Sequence, residues 1–177
     1  MYGNDEPHFD FSEVRPKGAP LRLGGKAPGP EPLQRSLKHI ERILRKRMYT
    51  HLRSIDVFDC VMHLADCVLS GGVRRAATIA TFDVDDELML NAKVGNWFET
   101  HPHRGRANIS AVVTPQTSKS VFENVFRSTK EFGEPGFVFF DSPNFTVNPC
   151  SEILMCPVLI EKEGEVVEDY SLDLLDP

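Results

Sequence analysis

The sequence predicts an α/β fold with parallel strand pairing, and two observations carry that expectation. Apolar runs of strand length at 77–82, 108–113 and 137–140 alternate with helical patterns at 84–94 and 118–131. That is the order produced by strands joined through crossover helices. The polar connection 141–152 then follows the C-terminal end of the last of these strands, where proteins of this architecture collect functional groups. The chain has 177 residues, 41% of them apolar, enough for one folding unit with a real core.

Taken in order, residues 1–31 form an arm and loop region. Pro7, Pro16, Pro20, Pro28 and Pro30, with Gly18, Gly24, Gly25 and Gly29, exclude regular helix over most of that stretch. Pro32 suits a first helical turn, and Leu33, Leu37, Ile40, Ile43, Leu44 and Met48 recur at three- and four-residue steps, predicting a helix to about Arg47. Its other face, Arg35, Lys38, Arg42, Arg45 and Lys46, reads as a solvated basic face. A second helix is expected from a cap at Ser54 through Val57, Cys60, Val61, Leu64, Ala65 and Val68, closing at Gly71-Gly72, where glycine accepts a left-handed conformation. Asp83 is placed as the cap of a short helix over 84–94. Ser118 caps the next, with Val121, Phe122, Val125 and Phe126 turned inward. The α/β segment runs over 32–160, and 161–177, with seven carboxylates against the single Lys162, reads as a solvated, frayed tail.

Composition narrows the function classes. A net charge of −6 supplies no basic field for a nucleic-acid backbone, although a nucleotide monomer stays open. No run approaches the roughly 20 apolar residues of a membrane span, and 1–20 lacks a signal peptide's pattern. A cytoplasmic protein is expected, with Cys60, Cys67, Cys150 and Cys156 as free thiols. Cys60 and Cys67, two helical turns apart, stand about 10 Å from each other, beyond disulfide reach, and read as inert core thiols. His101-Pro102-His103-Arg104 fits no standard ligand spacing, so no metal is assigned and loop packing is expected there.

The chemistry-bearing pattern is Asn148-Pro149-Cys150-Ser151-Glu152. On extended backbone its amide, thiol and carboxylate point to one side. A carboxylate raises the pKa of a neighbouring thiol and no histidine is near in sequence, so ordinary thiolate catalysis is disfavoured. Homolytic chemistry needs no thiolate: a thiyl radical abstracts hydrogen from carbon, the carboxylate serves as general base and the amide holds a sugar. A structural turn is the competing reading.

Asn148-Pro149-Cys150-Ser151-Glu152-Ile153 resembles the Asn-x-Cys-x-Glu finger-loop of ribonucleotide reductases. Gly133-Glu134-Pro135-Gly136-Phe137 is similar to the segment leading to that loop in the adenosylcobalamin-dependent class. Gly71-Gly72-Val73-Arg74-Arg75-Ala76-Ala77 resembles the loop joining the specificity effector to the substrate base, and 11–29, with Arg15-Pro16-Lys17-Gly18 and Gly24-Gly25, resembles the first effector loop. Several separated motifs in the family's order are far more specific than any one. The resemblance implies part of a ten-stranded α/β barrel with the finger-loop near the C-terminus of this chain. It makes Cys150 the thiyl cysteine that takes the substrate 3'-hydrogen, Glu152 the base on the 3'-hydroxyl and Asn148 a partner of the ribose. Gly72, Arg74 and Arg75 fall on the effector-to-substrate loop, where an arginine fork can stack on a base or grip a phosphate. The implied cofactor is adenosylcobalamin. The implied partners are a ribonucleotide substrate, a dNTP or ATP effector and a thioredoxin-type reductant.

The resemblance also has limits. The family's redox cysteine pair, its downstream phosphate loop and its C-terminal shuttle cysteines have no counterpart in this sequence, and Cys156 lies only six residues beyond Cys150. The expectation is a fragment of a reductase, from a split gene, a truncation or an intein-flanked piece, inactive alone and dependent on complementary fragments. Such an unclosed barrel should be aggregation-prone or partner-requiring. The alternatives are a non-catalytic nucleotide-binding or assembly module derived from the same enzyme, and an unrelated structural α/β domain.

Overall fold

The computed structural model describes residues 7–22, 24–68, 77–141, 145–155, 158–162 and 165–169, with side chains as far as Leu154. The chain divides into two compact units, one of 1–51 with 63–76 and one of 52–62 with 77–177. The expected loop 71–76, including Gly72, Arg74 and Arg75, lies outside the described residues, as does Cys156.

In the first unit the Gly/Pro-rich arm closes on itself. Pro20 and Lys26 form an antiparallel bridge, Gly18 N–H donates to the Ala27 carbonyl at 2.8 Å and Ala27 N–H to that of Ala19 at 2.7 Å. The tip turns through Gly24 and Gly25, both at φ +89°, a conformation that glycine adopts without steric penalty. Helix α1, Glu31–Lys46, carries Pro32 in its first turn with Glu31, and ends on Arg45 and Lys46, matching the sign of the helix dipole at both ends. Here the imidazoles of His39 and His63 stack with ring centroids 4.6 Å apart.

Helix α2, Ser54–Val68, begins where Asp56 reaches back to the Arg53 backbone N–H at 3.1 Å and grips the Arg53 guanidinium at 2.9 Å. Asp56, not the expected Ser54, therefore caps the helix, in the manner of a third-position acid in a capping box. Its buried stripe is Ile55, Phe58, Met62 and Ala65, while Val57, Val61, Leu64 and Val68, expected inward, are 44–52% exposed. The helix is apolar on both faces, so spacing alone does not choose between them.

The second unit is built on a three-stranded parallel sheet in the order β1-β2-β3, formed by β1 Thr78–Asp83, β2 Ala107–Val113 and β3 Gly136–Phe139. One face packs on helices: Phe82 from β1, with Ala107, Ile109 and Ala111 from β2, join Ile55, Phe58 and Met62 of α2, Met89 and Leu90 of α3 (Glu87–Leu90), and Val125 of α5 (Lys119–Phe132). Helix α3 is only Glu87–Leu90, capped by Asp86 accepting from Met89 N–H. It is followed by α4, Trp97–Thr100, and a 3-10 turn, Pro102–Arg106. The single helix expected over 84–94 behind Asp83 is thus replaced by short turns, because the cap falls three residues later. Helix α5, Lys119–Phe132, starts as expected at Ser118, whose hydroxyl accepts from Val121 N–H. It buries Val125 fully but leaves Phe126 50% exposed. Two antiparallel hairpins follow, β4 Thr146–Val147 with β5 Leu154–Met155, and β6 Val158–Lys162 with β7 Glu165–Asp169. The second occupies part of the stretch expected to be a frayed tail. Among the described residues no helix is long and apolar enough to cross a membrane.

A buried ionic cluster fastens the β1–β2 connection. Arg104, 8% exposed, donates from Nε and one terminal nitrogen to the two oxygens of Asp59 at 2.7 Å each, and from its other terminal nitrogen to the Ala92 carbonyl at 2.8 Å. His103 Nε2 lies 2.9 Å from Asp59 Oδ1. Burial alone would raise the Asp59 pKa, but the hydrogen bonds from Arg104 and His103 outweigh it and hold the carboxyl down at about 2, against an ordinary 3.8. A depressed carboxyl pKa stabilises the fold fully above about pH 4, and that contribution fades as pH falls toward 2. Asp59→Asn is therefore expected to lower stability at neutral pH by about 3 kcal/mol in urea titrations, and to lose less further stability between pH 4 and 2 than the wild-type chain loses. An unchanged acid dependence would contradict the ion-pair account.

Candidate functional site

The segment Asn148–Glu152 is the loop of the β4–β5 hairpin, and it is a turn, not extended strand. Ser151 N–H donates to the Asn148 carbonyl at 2.8 Å and Asn148 N–H to the Ile153 carbonyl at 3.2 Å, with Ser151 in the left-handed region at φ +60°. The cause is the Asn148 side chain. Its Oδ1 accepts from Glu152 N–H at 2.8 Å and Ile153 N–H at 2.9 Å, offering the backbone an alternative to continued strand pairing, as Asn commonly does.

The expected alternation along an extended segment is thereby corrected, yet two of the three groups still meet. Asn148 Nδ2 donates to Glu152 Oε2 at 3.0 Å. Cys150 stands between them on the turn, its side chain exposed. The loop can present a thiol to a large reactant while an amide and a carboxylate share a proton-bearing contact beside it.

Gly133-Glu134-Pro135-Gly136 also resolves into physical parts. Gly133 ends α5 at φ +78° and returns its N–H to the Thr129 carbonyl. The carbonyls of Glu134 and Pro135 accept the hydroxyls of Ser128 and Thr129, and the Glu134–Pro135 peptide is cis. A Cβ on Gly136 would stand 3.0 Å from Ser110 Oγ, so the glycine lets β3 lie close against β2. Glu134 Oε2 is buried 2.7 Å from Lys93 Nζ, an ionic contact without a hydrogen bond's angle. Lys93, 3% exposed, also donates to the Ala107 carbonyl and lies 5.3 Å from the centre of the Trp97 ring.

Other described thiols and histidines have surroundings of their own. Burial first, then the Asp59 and Asp56 charges, push the Cys60 thiol up, and burial does the same for Cys67. Both are half-buried, and Cys67 donates to the Leu64 carbonyl. Burial lowers the His101 pKa; its Nδ1 lies 2.9 Å from the Thr100 hydroxyl. His103 and Arg104, read only as loop packing, belong to the Asp59 cluster, and Lys93 drew no attention from sequence. The available signal was the acid Asp59 set among apolar helix residues, which calls for a buried cation.

Among known proteins, the chain is 32% identical to an adenosylcobalamin-dependent ribonucleoside-triphosphate reductase of Levilactobacillus brevis, over 91% of this chain and 25% of that protein. It is 29% identical to the protein of the same description from Lactobacillus delbrueckii subsp. bulgaricus, over 88% of this chain and 25% of that one. A probable adenosylcobalamin-dependent ribonucleoside-triphosphate reductase of Dictyostelium discoideum is 30% identical over 78% of this chain and 18% of its own length. No family model matches the chain, and no solved structure matches it. The chain is thus related to the ribonucleotide reductases. More narrowly, it is homologous to one segment of the adenosylcobalamin-dependent ribonucleoside-triphosphate reductases, and it spans about a quarter of the length of the first two relatives.

Two substitutions test the geometry. Asn148→Ala is expected to raise amide exchange at Glu152 and Ile153 at least fivefold, since each loses its acceptor, with the β2 amides unchanged. Lys93→Ala leaves Glu134 buried without its counter-charge and should cost about 3 kcal/mol in urea unfolding, part of which Glu134→Gln restores.

Proposed function

We propose that this chain is the finger-loop segment of an adenosylcobalamin-dependent ribonucleotide reductase, converting ribonucleotides to deoxyribonucleotides together with complementary segments of the same enzyme. The observation that carries the reading is the exposed Cys150 on a turn held by Asn148, whose amide bonds Glu152 at 3.0 Å, in a chain related to such reductases. In this reading the three parallel strands are part of the ten-stranded barrel, in a cytoplasmic protein.

The donor set suits the cofactor's chemistry, because a thiol on an exposed turn is open to a bulky group. Adenosylcobalamin, when bound, would supply the one-electron chemistry needed to turn the Cys150 thiol into a radical. The Cys150 radical then takes the 3'-hydrogen of the ribose, Glu152 accepts the proton of the 3'-hydroxyl and Asn148 holds the sugar. Gly72, Arg74 and Arg75 couple a dNTP or ATP effector to the substrate base. A cysteine pair on other segments, re-reduced by a thioredoxin-type protein, supplies the two reducing electrons.

Support for the need of partner segments comes from the outward apolar stripe of α2 and from Phe139, 67% exposed at the end of edge strand β3, surfaces of the kind that invite association. A non-catalytic nucleotide-binding module remains the second reading, because Asn148 holds a turn whether or not a substrate is bound. The chain alone, given adenosylcobalamin, effector and dithiol, is expected to make no deoxynucleotide. Mixed with the missing segments it should turn over, Cys150→Ser should abolish activity, and Glu152→Gln should lower kcat by on the order of a hundredfold or more. Turnover by the chain alone refutes the fragment reading, and full activity in Cys150→Ser refutes the radical role. Nucleotide binding without complementation favours the second reading.

A further inference from the structure

The face of the sheet turned away from the helices carries a polar contact that the reductase reading leaves unused. On β1, Phe82 and the partly buried Ala80 pack with the helix-side core, so Thr81 between them faces the other way. Its hydroxyl lies 3.3 Å from that of Thr146 on β4, with either able to donate. Thr146 stands two residues before Asn148, at the point where the chain enters the turn.

We propose that Thr81 is a positioning residue for the Cys150 loop, a hydroxyl tether that sets where the β4–β5 hairpin lies against the parallel sheet. The role rests on the reductase reading only for its catalytic meaning; the tether itself does not depend on it. Three features make one neutral hydrogen bond decisive. The hairpin pairs only two residues on each strand, too few to be stable without outside contacts. Leu154 and Ile153, on the returning side, are 58% and 59% exposed and bury little. Apolar anchorage comes from Val147, 8% exposed, and from Phe145, whose ring lies 6.0 Å from that of Phe140. Apolar contacts hold the hairpin near the sheet without fixing its azimuth, whereas a hydroxyl pair has a direction. Threonine also suits the place for a second reason: its β-branched shape is that of valine, so the strand would form as well with a valine side chain there, and only the hydroxyl distinguishes the two.

The test compares Thr81→Val, Thr81→Ser and Thr146→Val in the whole chain by amide exchange at Asn148 and Ile153, whose backbone groups close the loop. Thr81→Val is expected to speed that exchange about fivefold, the effect of one neutral hydrogen bond, with β2 amides such as Ile109 unmoved. Thr81→Ser should stay within twofold of the wild-type chain. Thr146→Val should match Thr81→Val, and the double variant should be no faster than either, since both remove one interaction. Exchange unchanged in Thr81→Val, no rescue by serine, or additive effects in the double variant would each overturn the tether. If Thr81→Val does not fold, the Thr81→Ser and Thr146→Val pair decides on the same terms. In the complemented enzyme the tether further predicts a lower kcat at unchanged KM for Thr81→Val, restored by serine. Faster loop exchange alongside undiminished activity in Cys150→Ser would keep the tether and remove the reductase reading.

Discussion

The two-oxygen grip of Asp59 on Arg104 is the constraint on which the second unit depends. A parallel pair such as β1–β2 needs a crossover that returns the chain to the starting edge, usually on one long helix. Here the crossover is broken into α3, α4 and a 3-10 turn, none long enough to hold its own direction. Arg104 compensates by joining three places at once: Asp59 on α2, the carbonyl of Ala92 after α3, and its own position three residues before β2 begins. Lys93, next to Ala92, completes the arrangement by taking the first carbonyl of β2 and facing Glu134 at the entry to β3. Two buried cations thus fix the N-terminal end of the sheet's central strand. Buried charges are costly unless fully paired, so alternative packings of this connection are penalised by several kcal/mol.

Parts of this were legible in the sequence because they are local. Helices α1 and α5 appear within a residue or two of expectation, since Pro32, Ser118 and Gly133 act on their own neighbours. The three parallel strands are likewise encoded in short apolar runs. What sequence did not resolve depends on contacts distant along the chain. The buried face of α2 is chosen by Phe82 and Ile109, not by the helix's own pattern, which offers two stripes. Asp83 is a good cap by residue type, but the path of the chain after β1 gives that place to Asp86. The β6–β7 hairpin pairs Glu161 with Val166 and Lys162 with Glu165, and charge density masked that strand pattern.

The candidate site divides the same way. That Asn148 and Glu152 meet was readable from their spacing, but the reason given by spacing was wrong. Strand alternation would have brought all three to one side; the turn instead brings Asn148 to Glu152 and leaves Cys150 outward. The error arises because asparagine carries its own acceptor and donors, and these override the backbone pattern that a less polar residue would follow.

That division of labour within Asn148 bears on how a ribose could enter. Oδ1 is fully used by the N–H groups of Glu152 and Ile153, so the turn keeps its shape whatever happens to the other end of the amide. Among the described residues Nδ2 is committed to Glu152 Oε2, between exposed or half-buried partners, where exchange with another polar group costs little. Under the reductase reading, a sugar hydroxyl inserts into that 3.0 Å bond, accepting from Nδ2 and donating to the carboxylate. The same residue therefore builds the loop with its oxygen and ties the Glu152 carboxylate to it with its nitrogen.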